Sequence, residues 1–593
     1  MKNTPEIKIT DFLDSITEET NDNEITVVPL MCGTGKSSYI SHKMSDVIKA
    51  NGKSGLLIVT DSIERMKGYN NPFDDAIRKF ITENSNQIIT MTASNVGEAM
   101  HCHRNKPILI ISTQRYFRLT RLEIIELLTW RNGKRCLVMF DEKPYLTEQA
   151  KITIKTFTDI DADLQMAIDD TADQTEKTWA INQWQMLERR MQSIMDGYEG
   201  IREGQFSLFH KDVGCMTTDD ERFMRIIESN RIALNAKDCN AYANICAIRQ
   251  LTRCGAVYSC RKRRTGEYEK CFTVLIDHRD KLLGLGAKVI ILDATGDISP
   301  DYVADYVRIL PCTQFKRNLP NLTINIVNVS TSQRNMTTGN AKKHIDAILD
   351  YLRNQNDMMA SSALFTYKEV ESRFTPHFPA TAHFGNIKGR NDFRDFRSIV
   401  QVGLNRCPPI YYYLLALAQN KDEMNLLSKL SKQESLSYLT NILSDPKSNS
   451  EIMYRHLLAD IEQNLFRSAI RNPENREKVN FTVLFNTAEY SDLVEMIKKR
   501  YTSLGATVNV LPAPQNIRME KIVNRNNSEA SHAQKIINWI AGKPKGTEFK
   551  LNDMLSSLDI TNRQFNKAKE RNSALATTLR SMRSTKRGYY RVA

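Results

Sequence analysis

The stretch Val27–Tyr39, VVPLMCGTGKSSY, constrains what this chain can fold into more than any other. A short apolar strand there runs into a loop that ends Gly35-Lys36-Ser37. Gly33 and Gly35 lack a Cβ, so the backbone around Thr34 can turn tightly and aim successive N–H groups at phosphate oxygens, while a helix opening at Lys36 adds its positive dipole end. In such a loop Lys36 neutralises the β and γ phosphates, the Ser37 hydroxyl holds Mg²⁺, and Ser38 completes the turn into the helix. Leu30 stands where the general G-x-x-x-x-G-K-[ST] pattern has its first glycine. The preceding strand argues against the bland alternative, a turn that merely starts a helix.

At 593 residues the chain exceeds one hydrophobic core and is expected to divide into about three to five domains. Hydrophobic residues at 41% and charged residues at 25% are those of an ordinary soluble protein. The longest apolar run, Ile410 to Ala418, falls well short of the roughly 18 residues that span a bilayer, so no membrane association is expected. The start, MKNTPEIKITDFLDS, has no apolar core of a secretory signal. The 11 cysteines are odd in number and without a C-x-x-C pair, which suits free thiols in a reducing cytoplasm. Much of the net charge of +13 sits in the tail, where Thr561 to Ala593 carries nine Lys/Arg against the single acid Glu570. A field of that kind favours a polyanion.

Behind the loop, Ser38 to Ala50 reads as a helix and Gly55 to Thr60 as a buried strand, an order that predicts a doubly wound α/β sheet. Asp61, Ser62 and Arg65 follow that strand's carboxyl end, where open α/β sheets place ligands. A strand over Pro107 to Ser112 ends in Thr113-Gln114-Arg115 at the same edge. His101-Cys102-His103 is too tightly spaced for a tetrahedral metal site. The strand Cys136 to Phe140 delivers Asp141 and Glu142, the first suited to hold Mg²⁺ and the second to orient and deprotonate an attacking water. Three-to-four spacing of apolar residues predicts a largely helical insertion over 150–256. Its cysteines fit no zinc or iron–sulfur spacing. Strands resume at Phe272 to Ile276 and Ala287 to Leu292, the latter ending in Asp293-Ala294-Thr295-Gly296-Asp297, a cluster suited to coupling nucleotide to a neighbouring domain.

A second α/β unit is predicted from Leu322: strands 323–328 and 362–366, a helix 340–354, a polar loop 384–392 containing Gly389, Asn391 and Asp392, and an apolar run 398–404. A helix over Ala459 to Asn472 would line Gln463, Arg467 and Arg471 along one face, placing guanidiniums to reach a γ-phosphate held by the other domain. The strand 479–485 follows. Residues 531–593 read as three helices and a terminal strand, a winged helix whose third helix carries Arg563, Gln564, Asn566, Lys567 and Lys569 toward nucleic acid. Arg583, Lys586 and Arg587 would form its wing against phosphates.

Taken together these residues resemble the superfamily 2, DEAD/DEAH-like, helicases. MCGTGKS looks like motif I, LIVTDS like Ia, ISTQR like the next strand-end motif, FDEKP like II, LDATGD like III, LFTY like IV, GRND like V and EQNLFRSAIR like VI. Lys143-Pro144 departs from the more familiar Ala-Asp or Ala-His, and motif VI has one extra residue between its arginines, which leaves open whether Arg467 or Arg471 is the finger. The resemblance implies two RecA-like domains of α/β class: 1–149, an insertion 150–256, a return 257–315, a second domain 316–525, and a basic winged-helix-like domain 526–593. It implies ATP and Mg²⁺ between the sheets, Arg115 among the nucleic-acid contacts, and Asp293–Thr295 with Gly389, Asn391 and Asp392 in coupling. The insertion is similar in position to the arch of DinG/XPD-like helicases. Only Cys32, Cys102 and Cys136 lie between motifs I and II, which implies no iron–sulfur cluster. Replication proteins of phages and mobile elements share a terminal winged helix. The expected activity is an ATP-dependent helicase acting on single-stranded or forked DNA in replication or repair, with other replication proteins as partners. An ATP-switched replication initiator or regulator that never unwinds, and an RNA helicase, are the alternatives.

Overall fold

A computed structural model describes the chain from residue 8 to 592, leaving out 20, 22, 51, 53, 61–78, 93–94, 145, 154, 160–173, 198–205, 211–221, 224–240, 263–267, 356–357, 388–391, 421–422, 424–425, 428, 445–447, 515–516, 518–531, 572–574, 576–577, 580–581 and 583–588. Asp61, Ser62, Arg65, Gly389, Asn391, Arg583, Lys586 and Arg587 therefore lie outside the described residues. The chain divides into two units, Met1–Arg518 and Met519–Ala593.

Short, largely buried apolar runs build most of the first sheet, as expected of parallel strands covered on both faces. They are β1 (Ile25–Val28), β2 (Ser54–Thr60), β3 (Ile88–Met91), β4 (Ile108–Ser112), β5 (Thr129–Trp130) and β6 (Gly133–Asp141). An inserted sheet follows, β7 (Thr147–Ile152), β8 (Phe206–His210), β9 (Ala256–Lys262) and β10 (Tyr268–Asp277), before the chain returns as β11 (Lys288–Leu292) and β12 (Val307–Ile309). The strand order β12-β1-β11-β6-β2-β4-β3 separates the glycine-loop strand from the acid-bearing strand by one neighbour, with β5 paired only to β6. Register brings Val28 opposite Leu292, and Leu292 and Thr60 opposite Asp141, so the loop and the acids emerge at one edge. Helices α1 (Ile9–Glu19) and α2 (Lys36–Ala50) cover one face through Leu13, Ile16, Tyr39 and Met44.

The stretch expected as a helical insertion does carry long helices, α3 (Gln174–Asp196) and α4 (Ala241–Cys254). They pack on an antiparallel sheet of order β7-β10-β9-β8 that helical periodicity did not foresee. Strands β9 and β10 belong to that sheet and not to the parallel one. The alternation of buried and exposed positions that marks such strands is weak here, because β10 is buried through Cys271–Leu275 on both faces.

The second parallel sheet is formed by β13 (Leu322–Asn328), β14 (Ser362–Thr366), β15 (Ala380–His383), β16 (Ser398–Val402), β17 (Val479–Phe485) and β18 (Thr507–Leu511), in order β15-β14-β16-β17-β13-β18. The helices that matter to the site are α5 (Ala341–Arg353), α6 (Pro409–Gln419), α7 (Lys432–Ser444), α8 (Ser450–Leu465) and α9 (Ser491–Thr502). Two parallel α/β units, each with an apolar sheet between helices, make the RecA-like pair. The expected helix over 459–472 is shorter: α8 ends at Leu465, a turn follows, and Ala469–Arg471 is a short 3-10 segment. Ser468 explains the stop, since its hydroxyl donates to the Leu465 carbonyl and accepts from the Ile470 N–H, competing with the helical ladder.

The second unit contains α10 (His532–Ala541), α11 (Leu551–Ser557) and α12 (Asn562–Arg571) around Ile536, Met554, Phe565 and Leu575, with β19 (Glu548–Lys550) antiparallel to β20 (Tyr589–Arg591).

Candidate active site

The turn after β1 is shaped by its glycines. Gly33 and Gly35 have φ of 82° and 98°, in the left-handed region that favours glycine. Leu30 is tolerated at the pattern's first-glycine position because its side chain turns into the core between the sheet and α1 and α2. Its carbonyl accepts a 3.0 Å hydrogen bond from Lys36 Nζ, which curls back over the loop and is only 8% exposed. Thr34 donates through Oγ1 to the Met31 carbonyl at 2.8 Å, fixing the loop from inside.

Asp141 closes β6, and Glu142 follows with φ of 87°, a conformation that is strained for a non-glycine residue. Two anchors hold it there. The Glu142 N–H donates to the Leu292 carbonyl, and Lys143 pairs with Asp301 while donating to Ser299 Oγ at 2.8 Å. Burial opposes the charge of Lys143, and Asp301 and Asp293 more than offset it, raising its pKa.

A cavity of about 960 Å³ opens between the two domains. From the first domain Gly33, Gly35, Lys36, Ser37, Ser38, Asp141 and Glu142 line it. From the second come Arg394, Arg397, Arg471 and the loop Asn472–Glu477. Arg467, 9% exposed, brings Nη2 to 4.0 Å from Glu142 Oε2. Gln463 Nε2 donates to Thr295 Oγ1 across the same boundary at 3.4 Å. Thr295 is in turn fixed by Asp293, whose Oδ1 accepts from its N–H and hydroxyl while Oδ2 accepts from Tyr302. Burial, with Asp293 beside it, pushes the Tyr302 pKa well up. Ala294 is buried in the same turn.

The structure thus gathers the loop residues, both acids and Arg471 around one cleft, with Arg467 beside Glu142, although Gln463, Arg467 and Arg471 do not share a helical face. Arg115 lies elsewhere, in the short helix after β4 (Thr113–Arg118), where burial lowers its pKa. Asp392 is exposed in the second domain. In the second unit Arg563 and Lys569 are exposed on α12, and Lys567 belongs to the same helix. Among the described residues there is no group of three or more His, Cys, Asp or Glu placed to hold a metal. His103 is fully buried, with its pKa lowered to about 4 by burial and then by Arg135.

Mg²⁺ fits the residues present, because Ser37 and Asp141 offer hard oxygen donors on one wall of the cavity that Lys36 also lines. A triphosphate fits the same wall, where Gly35, Lys36, Ser37 and Ser38 line the cavity at the N-terminus of α2.

Sequence reasoning missed Arg317 and Arg500. Arg317, between the two sheets, donates from Nη1 to the Cys32 carbonyl at 2.9 Å and to the Arg471 carbonyl at 3.2 Å, tying the glycine loop to the far domain. An isolated arginine in an irregular connection carries no periodic signal.

No protein-family model matches the chain, and no curated protein matches it either. Solved structures that are similar include S. cerevisiae Dbp5 L327V bound to RNA and ADP BeF3, at 9% identity and TM-score 0.34, covering 82% of this chain and 85% of that one. The DEAD-box helicase Mss116 bound to ssRNA and UDP-BeF matches at 9% identity and TM-score 0.31, covering 93% of this chain and 83% of its own.

Proposed function

We propose that this chain is an ATP-dependent nucleic-acid helicase or translocase. One observation carries the reading: a phosphate-type loop, a strand-end Asp-Glu pair and Arg471 from a second α/β domain line one cleft, with Arg467 of that domain 4.0 Å from Glu142. In this reading Lys36 binds the β and γ phosphates, Ser37 and Asp141 hold Mg²⁺, and Glu142 orients and deprotonates water. Mg²⁺, when bound, supplies charge neutralisation between the phosphate oxygens. Arg467 and Arg471 stabilise charge developing on the transferred phosphoryl group. Gln463 on Thr295 carries the change in the cleft to the loop Asp293–Asp297, and closure and opening of the two domains move a single strand across them.

The strand is proposed to be DNA, in replication or repair, with Arg115 among its contacts. The second unit supports a winged-helix reading through its helices and β19–β20 ribbon, with the basic face of α12 as a phosphate contact. The test is ATP hydrolysis by the full chain with and without single-stranded DNA and single-stranded RNA, followed by strand displacement. Lys36→Ala should abolish both activities, by more than ~10²-fold for hydrolysis. Hydrolysis with neither nucleic acid stimulating it, or binding without displacement, would favour an ATP-switched regulator.

A further inference from the structure

Away from the cleft the two domains meet at a buried charged cluster. Arg500, in the last turn of α9, has a side chain only 15% exposed. Its Nη1 donates to Asp297 Oδ2 at 2.9 Å and its Nη2 to Asp297 Oδ1 at 3.1 Å, a bidentate pair. The same guanidinium donates through Nε and Nη2 to the Glu462 carboxylate, with Nη2 to Oε1 at 2.9 Å. Glu462 is 1% exposed and also accepts from Tyr501 at 3.3 Å.

Asp297 lies in the first domain, two positions after Thr295, whereas Glu462 lies in the second, one position before Gln463. One guanidinium therefore joins the loop that carries Asp293–Thr295 to the helix that carries Gln463 and leads into Arg467. Without it, two carboxylates would face the domain boundary with like charge, one of them fully buried, which is costly. Burial works against the charge of Arg500, and Glu462 with Asp297 more than offsets it.

We propose that Arg500 is a positioning residue for the proposed hydrolysis, a rivet between Asp297 and Glu462 that sets how closely Gln463, Arg467 and Arg471 face the nucleotide loop. The proposal rests on the ATPase reading of the cleft. The loop binds phosphates from the first domain, while the arginines act on charge that develops later. Misplacing them therefore lowers kcat and leaves KM nearly unchanged.

Asp297→Asn in the full chain is the cleanest test, because it keeps the shape and leaves the Arg500–Glu462 pair in place. Its nucleic-acid-stimulated kcat should fall by ~10- to 100-fold with KM for ATP within about twofold. Arg500→Ala should fall at least as far, and Arg500→Lys, which keeps the charge but loses the fork, should recover part of the loss. A second readout needs no hydrolysis: the distance between genetically encoded probes at the exposed Lys49 and Lys342 should be narrow in the wild type and broadened in Asp297→Asn. Unchanged kcat and an unchanged distance, or a rise in KM with kcat retained, would overturn the proposal. Wild-type protein that hydrolyses no ATP would instead remove the ATPase reading. The distance comparison would then still decide whether Arg500 fastens the domains.

Discussion

A Cβ at Gly33 would lie 2.5 Å from the Arg471 carbonyl oxygen, on a backbone whose φ of 82° already disfavours any side chain. The second domain approaches the phosphate loop so closely that only glycine fits. Gly33→Ala is therefore expected to lower ATP turnover by ~10²-fold through misplacement of the cleft walls, checked by steady-state hydrolysis alongside a melting curve showing the chain still folded. His103 makes a different kind of prediction. Its ring nitrogens are buried with no hydrogen-bond partner, and burial, then Arg135, lowers its pKa from 6.5 to about 4. The folded state thus binds its proton more weakly than the unfolded chain. This stability is fully present above pH 6.5 and is lost as pH falls toward 4. Over that window His103 should contribute a loss of about 3 kcal/mol. His103→Leu should flatten the acid limb of the melting-temperature profile relative to wild type, and an unchanged limb would contradict the assignment.

Among the elements, helices α6 and α7 of the second domain are tied to the insertion of the first. Ile410, Tyr413, Leu414 and Leu415 of α6 and Leu439 of α7, from the second domain, share a core with Val257 of β9 and Leu275 of β10, from the insertion of the first. Leu415→Ala should cost about 2–5 kcal/mol by opening a cavity there, read as a lowered urea midpoint. The run 410–418 was apparent in the sequence as the longest apolar stretch, and so was the strand at Phe272–Ile276 within β10, but β9 and the antiparallel pairing were not, because β10 is buried through Cys271–Leu275 and shows no alternation. The strand before the glycine loop, the strand ending in Asp141 and the strands β13, β14, β16 and β17 of the second sheet were legible for the opposite reason: each is a short apolar run with a polar end. The end of α8 was not, because the periodicity of Gln463, Arg467 and Arg471 continued past the point where the Ser468 hydroxyl takes over backbone hydrogen bonds. Arg317 and Arg500 gave no signal either, since what makes them structural is a partner far away in sequence.

At the scale of the whole molecule, the first and second domains are joined by the connecting chain, by Arg317 and Arg500, and by the α6 core. In the proposed cycle these ties make cleft closure a small pivot rather than a separation of free bodies. The basic tail forms a unit of its own, Met519–Ala593. Removing it should leave basal hydrolysis intact and reduce the steepness with which nucleic-acid binding weakens as salt rises, measured as apparent affinity for a labelled single strand across a salt series. Steady-state hydrolysis of ATP at saturating single-stranded DNA, compared among wild type, Lys36→Ala, Arg467→Ala and Arg471→Ala, asks whether the two domains share one triphosphate. Loss of ~10³-fold or more in kcat is predicted for at least one arginine variant, with KM little changed. Both arginine variants turning over ATP at the wild-type rate while Lys36→Ala is inactive would contradict it.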